Sequence, residues 1–223
     1  MYVPLTGKML TTSLPTVLRQ CIPSVSTFVL TACISRFGIT AIVGYGVSGK
    51  LEMFLHYPAM VMNMVLTPIV GYCVGVGRID RANEYTKEGI KIGTIIVAIA
   101  GLILFIFPRK IARMFGCSDA AMAVVAEAFR YLGIGYTINV TSQCLLCQIN
   151  GYGKTGTGFL IAVVNHIFGR IPLSYILSGT SLGITGIWVA MVIAFVAAFI
   201  TAVLLNASLT KKMNKSLSRT VTP

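Results

Sequence analysis

Six stretches of mainly apolar residues, separated by short polar or basic intervals, divide the chain. The first runs from Gln20 to Ser35 and extends back to Leu14. The second occupies Thr40 to Gly77, the third Ile90 to Phe107 and the fourth Tyr131 to Ile149. The fifth covers Thr157 to Leu177 and the sixth Ile184 to Leu205. A helix needs about 20 such residues to cross a hydrocarbon core ~30 Å thick. The pattern therefore predicts an all-α, polytopic integral membrane protein with six transmembrane helices. Short connections make sequence neighbours antiparallel. The second stretch is long for one span, reaching well over ~50 Å at 1.5 Å per residue. It contains Pro58 and Pro68, and each proline removes a backbone bond and bends a helix. The expectation is a short entry helix followed by a kinked span, as in the interrupted helices that line transporter substrate routes. A tilted helix with an interfacial lead-in fits the same residues. Residues 1–13 read as a polar lead-in, 14–209 as the membrane lobe, and 210–223 as a basic tail. The tail lacks apolar periodicity and is expected to be disordered near anionic headgroups.

Composition points the same way. Hydrophobic residues make up 56% of the 223-residue chain and charged residues 11%, with a mean hydropathy of +0.84. A soluble domain carries about 25% charged residues, and a chain of this size cannot enclose so much apolar surface in one core. The net charge of +12 would suggest nucleic acid if the bases formed a patch. They fall instead between the apolar runs. With the N-terminus inside, Lys8, Arg19, Arg78, Arg81, Lys87, Lys91, Lys154, Lys211, Lys212, Lys215 and Arg219 lie on the cytoplasmic side, against Arg36, Arg109, Lys110 and Arg113 outside. Cytoplasmic loops carry such an excess. The expected setting is a multi-pass protein of the plasma (inner) membrane with both termini cytoplasmic, partnered by the lipid bilayer and not by nucleic acid. The start of the chain lacks a cleavable signal pattern, so the first helix is expected to serve as the targeting signal.

Motifs for enzyme chemistry do not survive their context. Gly44, Gly46 and Gly49 have dinucleotide-fold spacing, but no βαβ unit surrounds them. Gly153, Lys154 and Thr155 resemble the end of a phosphate-binding loop whose first glycine would fall at Gln148. Cys144 and Cys147 form C-x-x-C inside a span, where packing is the simpler role. Two histidines without Cys or carboxylate partners at ligand spacing do not predict a metal. The expectation is a non-enzyme with no cofactor and no metal.

The informative residues are polar groups at membrane depth, where an ionisable side chain must face protein or water. Gln20, Ser24, Thr27 and Thr31 share one face of the first helix, either lining a route or bonding to neighbouring helices. Glu52, His56 and Asn63 share a face of the second segment, since eleven residues make almost three turns. The fourth helix carries Asn139, Gln143 and Asn150 on one stripe, with Tyr136 close by. These amides cost too much to face lipid. The candidate cavity-lining set is Thr27, Thr31, Glu52, His56, Asn63, Asn139 and Gln143, with Glu52 the candidate for a coupling ion, H+ or Na+. Arg170 is the deepest fixed positive charge; it anchors packing, binds an anionic headgroup or balances Glu52.

Three stretches, in order, resemble one family. TPIVGYCVGVGRIDRANEYTKEG is similar to the loop after the eighth helix of multidrug and toxic compound extrusion (MATE) transporters. IFPRKIARMFGCSDAAMAVVAEAFRYLGIG resembles their outer loop and tenth helix. QINGYGKTGTGF with GRIPLSYIL resembles the next connection and eleventh helix. The likeness runs from Leu14 to about Lys212. It implies the C-terminal lobe of a protein with two six-helix lobes around a central cavity, exporting organic cations or toxic compounds in exchange for H+ or Na+ by alternating access. The implied partners are an N-terminal six-helix lobe, or a second copy, and a small organic substrate. In the sodium-coupled branch the resemblance places carboxylates at the positions of Thr31 and Asn139, both neutral here; the proton-coupled branch uses the other lobe. The resemblance therefore implies a lobe that lines the cavity without carrying that ion site, unless Glu52 serves. A lipid-linked precursor flippase of the same superfamily would need several bases for pyrophosphate, and only Arg170 and Lys50 qualify. A fragment or non-transporting partner lobe is the third reading.

Overall fold

The computed structural model describes the backbone of residues 3–221 and the side chains of residues 14–213, other than Pro15 and Thr155. The chain runs through α1 (Val3–Ile34), α2 (Ile39–Gly75), α3 (Ile79–Ile106), a short α4 (Pro108–Met114) and α5 (Asp119–Gly151). It continues through α6 (Thr155–Val163), a π-helical turn over Val164–Arg170, α7 (Ile171–Ser178) and α8 (Gly183–Val221). Among the described residues there is no strand, and each of the six apolar stretches is helical.

Among the described residues, five segments are long and apolar enough to cross a membrane: Thr16–Phe37, Ile39–Gly75, Ile79–Ile106, Gly156–Ser178 and Gly183–Met213. α5, with 33 residues, has the length but is more polar. Its position explains the difference. It runs through the middle of the bundle, packed on α2, α3 and α8, and buries residues on nearly all sides, including Asn139, Ser142 and Gln148. A helix enclosed by protein need not be apolar all round, because its polar groups never meet lipid. The outermost surface is the reverse. Ile95, Ile99, Leu102 and Ile106 of α3 are each more than half exposed, an apolar face that only lipid can cover. The main core gathers Leu30, Leu55, Val97, Phe129, Leu132, Trp188 and Met191.

Two expectations are corrected. The second stretch is not split: α2 is one helix of 37 residues with Pro58 and Pro68 inside it. Each proline deletes a single ladder bond, and the bonds on either side carry the helix through. The interruption falls in the fifth stretch, where Pro172 has no N–H to offer and the N–H of Ile171 reaches back five residues to the carbonyl of His166. A proline near a π turn is a common cause of such a break. The expected disordered tail is also helical, α8 continuing to Val221. From Asn206 to Val221 no glycine or proline interrupts the ladder. The lead-in likewise belongs to α1 from Val3 onward, with Met1 and Tyr2 outside the described residues.

The glycine motifs become structural. Gly44, Gly46 and Gly49 lie within α2. Gly153, at φ 72°, ends α5, and the N–H of Lys154 returns to the carbonyl of Ile149 at 3.3 Å, a left-handed helix cap. Where α3 crosses α5, a Cβ on Gly101 would stand 3.1 Å from the carbonyl oxygen of Gly133. Small residues let membrane helices approach this closely. Gly101→Val is expected to destabilise the lobe by about 1–3 kcal/mol through overpacking, read as a lower unfolding midpoint in detergent. An unchanged midpoint would mean that the crossing relaxes freely.

Candidate functional site

The π turn sets the azimuth of Arg170. By taking one residue more than an α-helical turn, it directs Asn165, Gly169 and Arg170 all to the interior. Gly169 makes this possible against α8, since a Cβ there would lie 2.9 Å from that of Ala194. The Arg170 guanidinium then stands 3.7 Å from the Glu52 carboxylate, with side-chain exposures of 8% and 16%. Its Nη2 also approaches the Sδ of Met191 at 3.4 Å. From α5, the Tyr136 hydroxyl faces the same carboxylate. His56, one turn beyond Glu52 on α2, stands near His166 of the π turn.

Aromatic walls close the cluster. Tyr45 stacks on Trp188 of α8 with ring centroids 6.0 Å apart, and Tyr136 meets Phe195 edge-on at 5.3 Å. In such surroundings two opposite charges interact far more strongly than in water. Several buried polar atoms have no partner among the described residues: Arg170 Nε, Asn165 Oδ1, His166 Nδ1, Trp188 Nε1 and Ser174 Oγ. Unpaired buried polar atoms are costly and rare. Arg170 Nε, Asn165 Oδ1, His166 Nδ1 and Ser174 Oγ all lie on the π turn and the start of α7, beside the charge pair. Of the six acids of the chain, Glu52 lies furthest from a helix end. Asp80, Glu84 and Glu88 sit early in α3 and Asp119 begins α5. Glu127, two turns into α5, accepts a bond from Thr185.

The sequence-predicted residues divide into those the cluster gathers and those it does not. Glu52 and His56 belong to it, and the open question over Arg170 closes on balance with Glu52. Asn139, buried, and Gln143, half-buried, continue the Tyr136 side of α5 toward the other end. Asn63 shares the Glu52 face but lies about 16 Å further along the helix, where it accepts a bond from Thr67 at 3.1 Å. Thr27 and Thr31 donate to carbonyls of their own helix, Pro23 at 2.9 Å and Thr27 at 2.8 Å. Thr27 is exposed, and the Tyr45 hydroxyl faces it. Tyr45, Trp188 and Met191 were not singled out in the sequence, because an aromatic or Met residue in an apolar run looks like ordinary core.

The sequence model of the MatE family matches residues 15–176. Curated relatives include a probable multidrug resistance protein NorM of Halalkalibacterium halodurans, 24% identical over 165 residues, covering 73% of this chain and 36% of the relative. Another, of Oceanobacillus iheyensis, is 25% identical over 166 residues, covering 74% and 37%. The matched region thus spans little more than a third of these relatives' length. Among solved structures, an outward-facing multidrug resistance MATE family transporter of the MOP superfamily superposes with a TM-score of 0.87 at 20% identity, over 92% of this chain and 47% of the other. A MOP superfamily transporter from Pyrococcus furiosus gives 0.86 at 20%, over 92% and 46%.

Removing one member of a buried ion pair leaves the other uncompensated, at a cost of about 3–5 kcal/mol. Glu52→Gln and Arg170→Met are each expected to destabilise the folded chain on that scale. The double variant should recover much of the loss, as measured by unfolding in detergent. Losses that simply add in this cycle would show that the two groups do not act as a pair.

Proposed function

Because the chain belongs to the MatE family, a family whose similar members are multi-pass membrane transporters, we propose that it forms one six-helix lobe of a secondary exporter. On this reading the lobe lines a central cavity with a second six-helix lobe, and moves small organic cations outward against an inward ion gradient by alternating access. Both termini lie on the cytoplasmic side of the plasma membrane, as the distribution of bases favours. The observation that carries the reading is the Glu52–Arg170 pair inside the bundle, 3.7 Å apart. An ionisable pair at that depth is expensive, and functional sites are where membrane proteins keep one.

The lining favours a proton over Na+ as the coupling ion. A hard metal cation takes a shell of several oxygen ligands, whereas the groups that face Glu52 are the Arg170 guanidinium and a single Tyr136 hydroxyl, beside aromatic rings. A proton needs only one carboxylate oxygen. Its arrival neutralises Glu52, dissolves the attraction to Arg170 and frees two elements, α2 and the π turn, to part. Neutral Thr31 and Asn139 cannot supply that change. The cluster is less suited to a pyrophosphate-linked lipid. Its one guanidinium is already engaged, and Lys50 is exposed on another side of α2.

The test is co-expression of the chain with the N-terminal lobe of a NorM-type relative in drug-sensitive cells. Efflux of a cationic dye should rise and should collapse with an uncoupler. Glu52→Gln should abolish the rise while leaving membrane insertion intact. Unchanged efflux in that variant would remove Glu52 from coupling, and no efflux from the parent pair would favour a non-transporting partner lobe.

A further inference from the structure

At the base-rich end of the bundle, where α5 ends and α3 begins, α3 and α8 diverge over α5. They leave a groove of roughly 490 Å3 between them. Its floor is a connected set of amides and hydroxyls. Gln148, only 2% exposed, donates to the Tyr152 hydroxyl at 2.6 Å and to the side-chain Oδ1 of Asn83, and accepts from Asn206 Nδ2 at 2.9 Å. The Tyr152 hydroxyl in turn meets Thr210 at 3.1 Å. The Oδ1 of Asn206 is buried without a partner among the described residues. Ile90, Leu145 and Ala207 supply apolar wall, and Lys87 of α3 and Lys211 of α8 stand on opposite rims.

The charges at this end are not neutralised by their neighbours. Neither Lys87 nor Lys211 has a carboxylate partner among the described residues. Glu88 is held by Lys91 at 2.6 Å, and Asp80, Glu84 and Glu88 are absent from the groove lining. Depth matters as well. Leu205 closes the apolar run of α8, and Lys211 follows less than two turns later, at the level where headgroups meet water.

We propose that this groove binds a phosphate-bearing anion, namely the headgroup of an anionic phospholipid in the leaflet at this end of the bundle. Two facing lysines provide the charge. The Gln148 network holds α3, α5 and α8 at a fixed spacing, so the lysines do not have to be gathered on binding. Basic pockets between helices on the cytoplasmic side are suited to such headgroups. The assignment is independent of the Glu52–Arg170 cluster and of which compound is exported.

The purified chain in a neutral detergent, titrated with phosphatidylglycerol, phosphatidylcholine or inorganic phosphate, tests it by unfolding midpoint and native mass spectrometry. Phosphatidylglycerol should bind and raise the midpoint, and phosphatidylcholine should not. Lys87→Gln with Lys211→Gln should weaken phosphatidylglycerol binding about 25-fold, the roughly fivefold contribution of one surface base taken twice. The paired lysine-to-arginine variant should retain it, and Lys110→Gln, at the opposite end, should change nothing. Equal binding by the double glutamine variant, or equal shifts from both lipids, would overturn the site. If inorganic phosphate alone reproduces the full shift and the glutamine pair loses it, the lipid assignment falls to a soluble anion.

Discussion

A guanidinium enclosed among apolar helices has to be met by a counter-charge, and the interior around Arg170 is organised by that requirement. Acyl chains offer no hydrogen bonds, and here the counter-charge comes from the fold. Pro172 imposes the π turn, the π turn aims Arg170 inward, and Gly169 lets the turned segment lie against α8. Glu52 answers from α2. Direct packing between α2 and the π turn is slight, so the pair bridges elements that side-chain packing alone would leave loosely joined. In the proposed mechanism that connection is the one broken when Glu52 takes up a proton.

α5 makes the rest possible. It presents polar groups at two levels, Tyr136 and Asn139 beside the charge pair and Gln148 and Tyr152 near the base-rich end. Both sets are enclosed by α2, α3 and α8. The two levels behave differently. The Gln148 set is closed by hydrogen bonds across α3, α5 and α8, a condition that fixes helix spacing. The set near Arg170 retains unpaired donors and acceptors. One level is braced, and the other is left with bonding capacity to spend.

The outline of this fold was legible from hydropathy, because long apolar runs admit few structures other than spanning helices. The location of the break was not. Pro58 and Pro68 suggested it, yet α2 runs through both, while Pro172, close behind Gly169, set it in a segment read as regular. A proline's effect depends on whether the neighbouring packing accepts a straight ladder, and that is not a property of the local sequence. The candidate site was half legible. Glu52, His56 and Arg170 declare themselves as charges in oily runs, but helical spacing cannot bring together residues of different helices. The face shared by Glu52 and Asn63 turned out to span two neighbourhoods. The Gln148 network was missed because its partners are scattered over Asn83, Tyr152, Asn206 and Thr210, each unremarkable by itself.

The two exposed sides of the lobe differ in kind, and the difference bears on how it works. α3 offers lipid an unbroken apolar face. α1 instead leaves Gln20, Ser24 and Thr27 uncovered among its apolar residues. An amide and two hydroxyls on one stripe at membrane depth are poorly placed against acyl chains, even where the hydroxyls bond back to their own helix. In the proposed two-lobe arrangement that stripe faces the shared cavity. It is also connected to the interior: Tyr45 faces Thr27 on one side and stacks on Trp188 on the other, two turns from Glu52 on the same helix. Tyr45 thus links the exposed face of α1 to the aromatic wall beside the Glu52–Arg170 pair.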